Sequence, residues 1–246
     1  AAIAQPTVAL VNNAQREHLE FMHTVEAVAR ENGAVFAHLP ADGVAVFPAG
    51  DAYTGVWQGL AAGRRCVTFG VGGDVSCTDA TWAHGAWAIT VATPQGGLST
   101  RLHIAGRHNV TNALAAAACA LAAGAPLEAV AQGLSDFTPV KGRSRAFSVQ
   151  WGARSVTVVD DTYNANPDSM QAAIDVLAEL PGPQLLVMGD MGEVGDQGPQ
   201  FHAEAGAHAR AMGIPQVFAL GEQSASAAVA HGSARHFTQM SALLDA

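Results

Sequence analysis

Basic side chains are scarce in this sequence, which has 12 lysines and arginines against 21 aspartates and glutamates and a formal charge of −9. An acidic chain whose few cations are scattered is a poor candidate for binding nucleic acid or an anionic membrane. Cysteine is also rare, since Cys66, Cys77 and Cys119 are the only three and have no metal-type spacing. This usage is typical of reduced thiols in a cytosolic protein.

Long apolar runs and a targeting pattern are missing as well. The most apolar segment, residues 113–123, is rich in alanine and too short to cross a bilayer. The first residues lack the charged and then apolar pattern of a signal peptide. We therefore expect a cytoplasmic protein without a membrane or nucleic-acid partner. A monomer is the expected state.

The sequence does contain ample material for buried cores, because 49% of its 246 residues are hydrophobic and only 13% are charged. This length fits one large domain or two ordinary ones. Residues 137–143 contain proline and glycine and show no periodicity, so we place a domain boundary there. The expected domains are residues 1–138 and 139–246.

Both parts have the pattern of α/β domains. In the first, the expected elements are strands at 7–11, 44–47 and 65–69, a helix at 17–31, a hairpin around 94–97, and helices at 108–123 and 126–135. In the second, strands are expected at 155–160, 184–188, 216–220 and 234–237, each followed by a helix. Regular alternation of this kind predicts a parallel, doubly wound sheet.

Polar side chains crowd the predicted turn between strand 155–160 and the helix after it. Asn166 suits the N-cap of that helix and Pro167 suits its first position. Open α/β sheets bind ligands at the carboxyl ends of their strands. A ligand-binding loop is therefore favoured over a simple cap, since six polar residues fall within seven positions: Asp160, Asp161, Thr162, Tyr163, Asn164 and Asn166.

A second loop, residues 189–195, is expected to border the same crevice. Its glycine spacing does not match a dinucleotide fingerprint, and Asp190 and Glu193 would repel a pyrophosphate. These carboxylates suit a cationic partner such as the ammonium of a dipeptide, although a glycine-rich turn with solvated acids explains them equally well.

In the first domain, Asn109 and Asn112 share a helix face, where their amides either cap the helix or bind an adenine edge.

Four segments resemble the Mur ligase family, almost from end to end of the chain. They are Asn13-x4-His18-Leu19-Glu20, Gly106-Arg107-His108-Asn109-Val110-x-Asn112-Ala113-Leu114, Asp160-Asp161-Thr162-Tyr163-Asn164-Ala165-Asn166-Pro167-x-Ser169-Met170, and Gly189-Asp190-Met191-Gly192-Glu193-Val194-Gly195. The last two are similar to the branch of the family that adds D-alanyl-D-alanine to UDP-N-acetylmuramoyl-tripeptide.

The resemblance implies an ATP-dependent ligase that forms an amide bond through an acyl phosphate. ATP and Mg²⁺ are the implied cofactors, and UDP-N-acetylmuramoyl-tripeptide and D-alanyl-D-alanine are the implied substrates. The implied fold is the remainder of a central mixed α/β ATPase-type domain followed by a Rossmann-like C-terminal domain. The implied roles are metal binding by His18, nucleotide binding by Asn109, Asn112, Arg143 and Asp161, catalysis by His18, Arg143 and Asp161, and dipeptide binding by Tyr163, Asn164, Asn166, Ser169 and Asp190.

The sequence departs from the family's pattern at three places. It contains neither the Gly-x-x-Gly-Lys-Thr phosphate loop nor the domain that grips the UDP-sugar. Asn32 stands where the family has a modified, metal-binding lysine, and residues 48–51 replace an asparagine–aspartate pair. We therefore expect a truncated ligase with an unusual metal site, inactive on its own.

Two alternative functions stay open. One is a different Mur-type or folylpolyglutamate-type amino-acid ligase, against which the motif at residues 161–166 argues. The other is a non-catalytic module that binds a nucleotide or a peptide, because the phosphate loop is missing. A phosphate loop encoded upstream of Ala1 would argue against this second alternative.

Overall fold

The computed structural model describes all 246 residues, which form two compact units. Unit 1 comprises Ala1–Gln15, Val25–Val140 and Arg145–Val158, and unit 2 comprises Arg16–Thr24, Lys141–Ser144 and Val159–Ala246. The short segment Arg16–Thr24 thus belongs to unit 2, although both of its neighbours in the sequence belong to unit 1.

The α/β class predicted from the sequence is confirmed. The strands are β1 (Val8–Leu10), β2 (Val44–Pro48), β3 (Arg65–Phe69), β4 (Ser76–Ala83), β5 (Ala86–Thr93), β6 (Gly96–Leu102), β7 (Arg145–Trp151), β8 (Arg154–Asp160), β9 (Leu185–Met188), β10 (Gln216–Leu220) and β11 (Arg235–Phe237). The α-helices are α1 (Leu19–Met22), α2 (Val25–Gly33), α3 (Thr54–Leu60), α4 (Arg107–Ala122), α5 (Leu127–Asp136), α6 (Pro167–Glu179), α7 (Gly198–Ala211), α8 (Ala225–His231) and α9 (Met240–Leu244). None of the helices combines the length and apolarity needed to span a bilayer.

Unit 1 contains a parallel sheet of order β1-β2-β3 and an antiparallel sheet of order β4-β5-β6. Every residue of β2 is buried, as its unbroken apolar sequence predicts for a central parallel strand. In β5, Trp87, Ile89 and Val91 alternate with exposed residues. These side chains share one core with the apolar face of α4, where a buried leucine such as Leu114 contributes about 1.5–3 kcal/mol.

Unit 2 contains a parallel sheet of order β11-β10-β9, with α7 packed closely against α8. Its core includes Ile174 of α6 and Val217 of β10, both fully buried. A separate small cluster, which we call the loop cluster, has Met191, Val194 and Phe201 at its centre.

The prediction that strand 155–160 belongs to this parallel sheet is wrong. This strand, β8, is hydrogen-bonded to β7. Only Gly152 and Ala153 separate the two strands, and consecutive strands joined by so short a turn pair readily with each other. The apolar alternation of Phe147, Val149 and Trp151 was the sequence signal for β7.

The predicted helix at 17–31 is interrupted in the structure. It divides into α1 and α2, and His23 between them has a left-handed backbone with φ of 64°. A left-handed residue breaks the helical hydrogen-bonding pattern. β4, β7 and α3 were not predicted, whereas the other expected elements are present within a few residues of their predicted bounds.

Candidate functional site

The loop after β8 ends in the predicted helix cap. Asn166 Oδ1 accepts the Ser169 N–H at 2.8 Å, and the Asn166 N–H donates to Ser169 Oγ at 2.9 Å. Pro167 occupies the start of α6. This reciprocal capping box uses the Ser169 hydroxyl, which also donates to the Asn166 carbonyl at 3.1 Å. The amide NH₂ of Asn166 remains without a protein partner.

The two aspartates of this loop fasten the segment Lys141–Ser144. Asp160 Oδ2 accepts the Gly142 N–H at 3.1 Å, and Asp161 Oδ1 accepts the Ser144 N–H at 2.8 Å. A hydrogen bond from the Thr162 hydroxyl, joined by the backbone N–H of Thr162 and of Gly142, lowers the pKa of Asp160. Both aspartates are therefore acceptors for backbone donors, and Asp161 Oδ2 stays available.

Arg143 and Tyr163 are brought together by this fastening. The guanidinium of Arg143 lies 3.8 Å from the centroid of the Tyr163 ring. Tyr163 is 68% exposed, and Asn164 beside it is exposed as well, with its Oδ1 accepting the Ala165 N–H at 2.9 Å. The structure therefore presents one cation, one aromatic ring and one free side-chain amide side by side.

His18 pairs with a residue of the second loop. Its Nδ1 hydrogen-bonds to Glu193 Oε2, and both side chains are about half exposed. The backbone reinforces this pairing, because the Glu20 N–H donates to the Glu193 carbonyl at 3.3 Å. No three His, Cys, Asp or Glu side chains in the chain gather into a group that could hold a metal ion. His18 and Glu193 thus offer one nitrogen and one carboxylate.

The loop cluster holds together three segments of unit 2 that carry candidate site residues. Leu19, next to His18, packs against the cluster of Met191, Val194 and Phe201. Ala165, from the loop after β8, packs against the same cluster, as does Met170 of α6. The loops at 160–166 and 189–195 therefore lie together, as predicted, although β8 and β9 are not neighbours in one sheet.

Arg16 clamps the segment Arg16–Thr24 onto two helices of unit 2. Its Nε and Nη2 donate to Asp168 Oδ1 at 3.0 and 2.8 Å, and its Nη1 donates to Glu204 Oε2 at 2.7 Å. The two carboxylates raise the pKa of Arg16, with Asp168 making the larger contribution against the opposing effect of burial. The sequence did not reveal this role of Arg16, because an isolated arginine belongs to no recognisable motif.

We expect Arg16→Ala to loosen this segment and to lower the free energy of unfolding by about 1.5–3 kcal/mol, the usual value of hydrogen bonds to charged groups. Amide hydrogen exchange of Glu20 should accelerate as its bond to Glu193 opens more often. Arg16→Lys should restore little of the lost stability, because an ammonium group lacks the planar guanidinium with its several fixed N–H donors. Unchanged exchange in Arg16→Ala would show that the loop cluster alone holds the segment.

Asp190 has a different environment from the one expected for an ammonium ligand. Its carboxylate accepts the backbone N–H groups of Glu222 at 2.9 Å, of Gln223 at 3.3 Å and of Ser224 at 2.8 Å. Burial by itself raises the pKa of Asp190, but these donors together lower the pKa below its ordinary value. Asp190 therefore stabilises the turn before α8, and its contact with a substrate stays a prediction.

This arrangement predicts a pH dependence of stability. Since the folded-state pKa of Asp190 lies below the unfolded value of about 3.9, its contribution is present above that pH and is lost as the pH falls through the folded pKa. We expect Asp190→Ala to be clearly less stable than the wild type in urea unfolding at pH 6. The difference in unfolding free energy between the two proteins should be smaller at pH 3. An equal difference at both pH values would contradict this role.

In unit 1, three asparagines form a chain of hydrogen bonds. Asn12 Nδ2 donates to Asn112 Oδ1 at 2.9 Å, and Asn112 Nδ2 donates to Asn109 Oδ1 at 3.0 Å. Asn109 is buried and also donates to the Ala105 carbonyl at 2.7 Å. Asn112 is exposed, and its amide is oriented by the hydrogen bond to the buried Asn109.

The positions that depart from the family's pattern have structural contacts of their own. Asn32 is partly buried, and its Nδ2 donates to the Asn13 carbonyl at 3.3 Å. Asp51 Oδ1 accepts the Tyr53 N–H at 2.8 Å in the turn before α3. Each polar group therefore supports the local backbone of unit 1.

Two family models match the chain. The Mur ligase middle domain matches residues 1–120, and the domain described as Mur ligase, glutamate ligase domain matches residues 145–246. The chain is also 37% identical to the UDP-N-acetylmuramoyl-tripeptide--D-alanyl-D-alanine ligase of Escherichia coli, over 99% of this chain and 54% of that protein. The chain spans about half the length of the curated relatives it matches.

Solved structures show the same likeness. MurF from Acinetobacter baumannii has a TM-score of 0.92 and 34% identity, covering 99% of this chain and 53% of the other. MurF from Thermotoga maritima in complex with ADP has a TM-score of 0.78 and 24% identity, covering 91% of this chain and 51% of the other. The second likeness concerns the fold alone.

Proposed function

The chain belongs to the Mur ligase family, and we propose that it forms the central and C-terminal domains of an ATP-dependent ligase. Its reaction is the addition of D-alanyl-D-alanine to UDP-N-acetylmuramoyl-tripeptide in the synthesis of peptidoglycan precursors. The observation that carries this proposal is the loop at residues 160–166. Its polar side chains, the Arg143 guanidinium and the His18–Glu193 pair all belong to unit 2.

The proposed reaction has two steps. A carboxylate oxygen of the tripeptide attacks the γ-phosphorus of ATP, and ADP leaves with the electrons of the broken P–O bond. The amine nitrogen of the dipeptide then attacks the acyl carbon, phosphate leaves, and the amine loses a proton. Negative charge accumulates on phosphoryl oxygens in the first step, so positioning and charge stabilisation supply most of the catalysis.

Nucleotide contacts are proposed for residues of each unit separately. In unit 1, Asn112 offers an exposed amide to the adenine, and Asn109 orients that amide. In unit 2, Arg143 offers its guanidinium to phosphate oxygens. Asp161 offers Oδ2, the carboxylate oxygen that Ser144 does not use, as an acceptor for a hydrogen-bond donor of the nucleotide. A planar guanidinium suits this task because it can donate two parallel hydrogen bonds to an oxyanion.

The dipeptide is assigned to the loop at residues 160–166. The side-chain NH₂ groups of Asn164 and Asn166 have no protein partner, so they can donate to the carboxylate of D-alanyl-D-alanine. Ser169 contributes by holding Asn166 in place through the capping box.

Magnesium fits this chain only as part of a shared site. His18 and Glu193 supply two ligands, whereas Mg²⁺ prefers about six oxygen-rich ligands, usually including waters and substrate phosphates. Such an ion would neutralise charge on the phosphates. The residues that depart from the family's pattern, Asn32 among them, make other hydrogen bonds, so we assign no metal contact to them.

The cytoplasm, which supplies ATP and keeps the three thiols reduced, is the compartment we propose.

The proposal is tested by nuclear magnetic resonance on the 246-residue chain, with D-alanyl-D-alanine as the probe. We expect shifts in the signals of residues 160–166 and 189–195, and L-alanyl-L-alanine should produce smaller ones. Asn164→Ala should weaken dipeptide binding by about tenfold, the cost of one hydrogen bond to a charged group. Asp42→Ala, in an exposed turn, is the matched control.

Two results would count against the proposed function. Equal shifts with both stereoisomers would remove dipeptide specificity from this loop. Shifts that occur with glutamate but not with D-alanyl-D-alanine would favour a folylpolyglutamate-type ligase instead.

A further inference from the structure

The backbone is pinned on both sides of Arg143. Gly142 donates to Asp160 at 3.1 Å and accepts the Tyr163 N–H at 3.1 Å, while Ser144 donates to Asp161 at 2.8 Å. Ser144 keeps a left-handed φ of 47°, which a serine adopts only when its surroundings hold it. The Cα of Arg143 is therefore fixed relative to the loop at residues 160–163.

Gly142 permits this close approach. Its φ is 78°, and a Cβ atom at this position would lie 3.1 Å from the Tyr163 nitrogen and 3.2 Å from the Tyr163 Cβ. A side chain there would be strained by its backbone conformation and would also push the two segments apart. The glycine therefore sets the separation at which the Arg143 side chain meets the Tyr163 ring.

The Tyr163 ring is the protein partner of the Arg143 side chain. Its guanidinium lies 3.8 Å from the Tyr163 ring centroid, and none of its N–H groups donates to a protein acceptor. A guanidinium stacked on a ring keeps its donors at its edge, where they remain open to a ligand. The Tyr163 hydroxyl likewise has no partner, and the ring is 68% exposed.

We propose that Tyr163 is a positioning residue that holds the Arg143 guanidinium as a preorganised receptor for a phosphate oxyanion. This inference rests on the proposed nucleotide site and replaces the role in dipeptide binding expected for Tyr163, because Tyr163 then acts through Arg143 and makes no contact with the dipeptide. A free arginine side chain loses rotamer freedom when it binds, and stacking removes part of that cost in advance. The ligand class is a nucleoside diphosphate or triphosphate.

The test measures ADP and adenosine binding by the 246-residue chain, together with the chemical shifts of the Arg143 side chain. Stacking should move the Arg143 Hδ signals upfield in the free protein, and Tyr163→Leu should abolish that displacement. We expect Tyr163→Leu to weaken ADP binding by about fivefold, the scale of a cation–π contact. Tyr163→Phe should stay within about twofold of the wild type. Adenosine binding should not respond to either change.

Each contrary outcome has a distinct meaning. If Tyr163→Phe loses as much ADP affinity as Tyr163→Leu, the hydroxyl touches the ligand and the positioning role is wrong. If Tyr163→Leu binds ADP as well as the wild type, the ring does not prepare Arg143 and the inference also fails. If the upfield shifts are present but Arg143→Ala leaves ADP binding unchanged, the stack exists and the proposed phosphate contact is wrong.

Discussion

A polypeptide of these 246 residues alone is expected to release no phosphate from ATP above the uncatalysed background. Phosphoryl transfer depends almost entirely on positioning and charge stabilisation of the phosphates. The chain contains no Gly-x-x-Gly-Lys-Thr loop, and its single lysine, Lys141, lies in the segment fastened by Asp160 and Asp161. It also contains no group of three metal-binding side chains. Arg143 is thus the only side-chain cation that we assign to the phosphates.

The measurement is phosphate release with ATP, magnesium, UDP-N-acetylmuramoyl-tripeptide and D-alanyl-D-alanine. We expect a rate equal to that of a sample without protein, whereas kinases typically turn over at about 1–100 per second. Circular dichroism and a cooperative thermal transition serve as the control for folding. Turnover within that range, by a preparation free of other ligases, would require a phosphate-binding device that these residues do not reveal.

Gly206→Ala is expected to have the largest effect on stability. Gly206 lies in α7, where that helix packs against α8, and an added Cβ would be 2.1 Å from the Ala227 carbonyl oxygen. Backbone atoms of α8 cannot yield as a flexible side chain would, so the helices must separate. Overpacking usually costs about 1–3 kcal/mol, and this contact should reach about 3 kcal/mol or more. Urea unfolding of the two proteins would measure the difference.

Gly133→Ala in α5 is the matched control, because an added Cβ there meets no atom within 4 Å. This substitution should raise the free energy of unfolding by about 0.5–1 kcal/mol through helix propensity alone. If both substitutions stabilise the protein to the same degree, then α7 and α8 do not pack as closely as the structure has them.

Strong local patterns allowed much of the fold to be predicted. The apolar run of β2 and the alternation in β5 report burial directly, and the alanine-rich apolar segment at residues 113–123 does so for α4. The Asn166–Pro167 start of α6 was equally readable, because capping chemistry is local. Prediction was weakest where an element depends on its partner, as with the pairing of β8 with β7.

For the candidate site, too, one part could be predicted from the sequence and another part only from the tertiary structure. The sequence by itself determined the candidate site residues, from the crowding of Asp161, Asn164 and Asn166 and from the resemblance of four motifs to the Mur ligase family. Only the tertiary structure decided their tasks: Asp190 fixes the turn before α8, and Tyr163 stacks on Arg143. Such pairings join residues far apart in the chain, so they depend on packing that no local pattern encodes. Arg16, which meets Asp168 across 152 positions, is the plainest case.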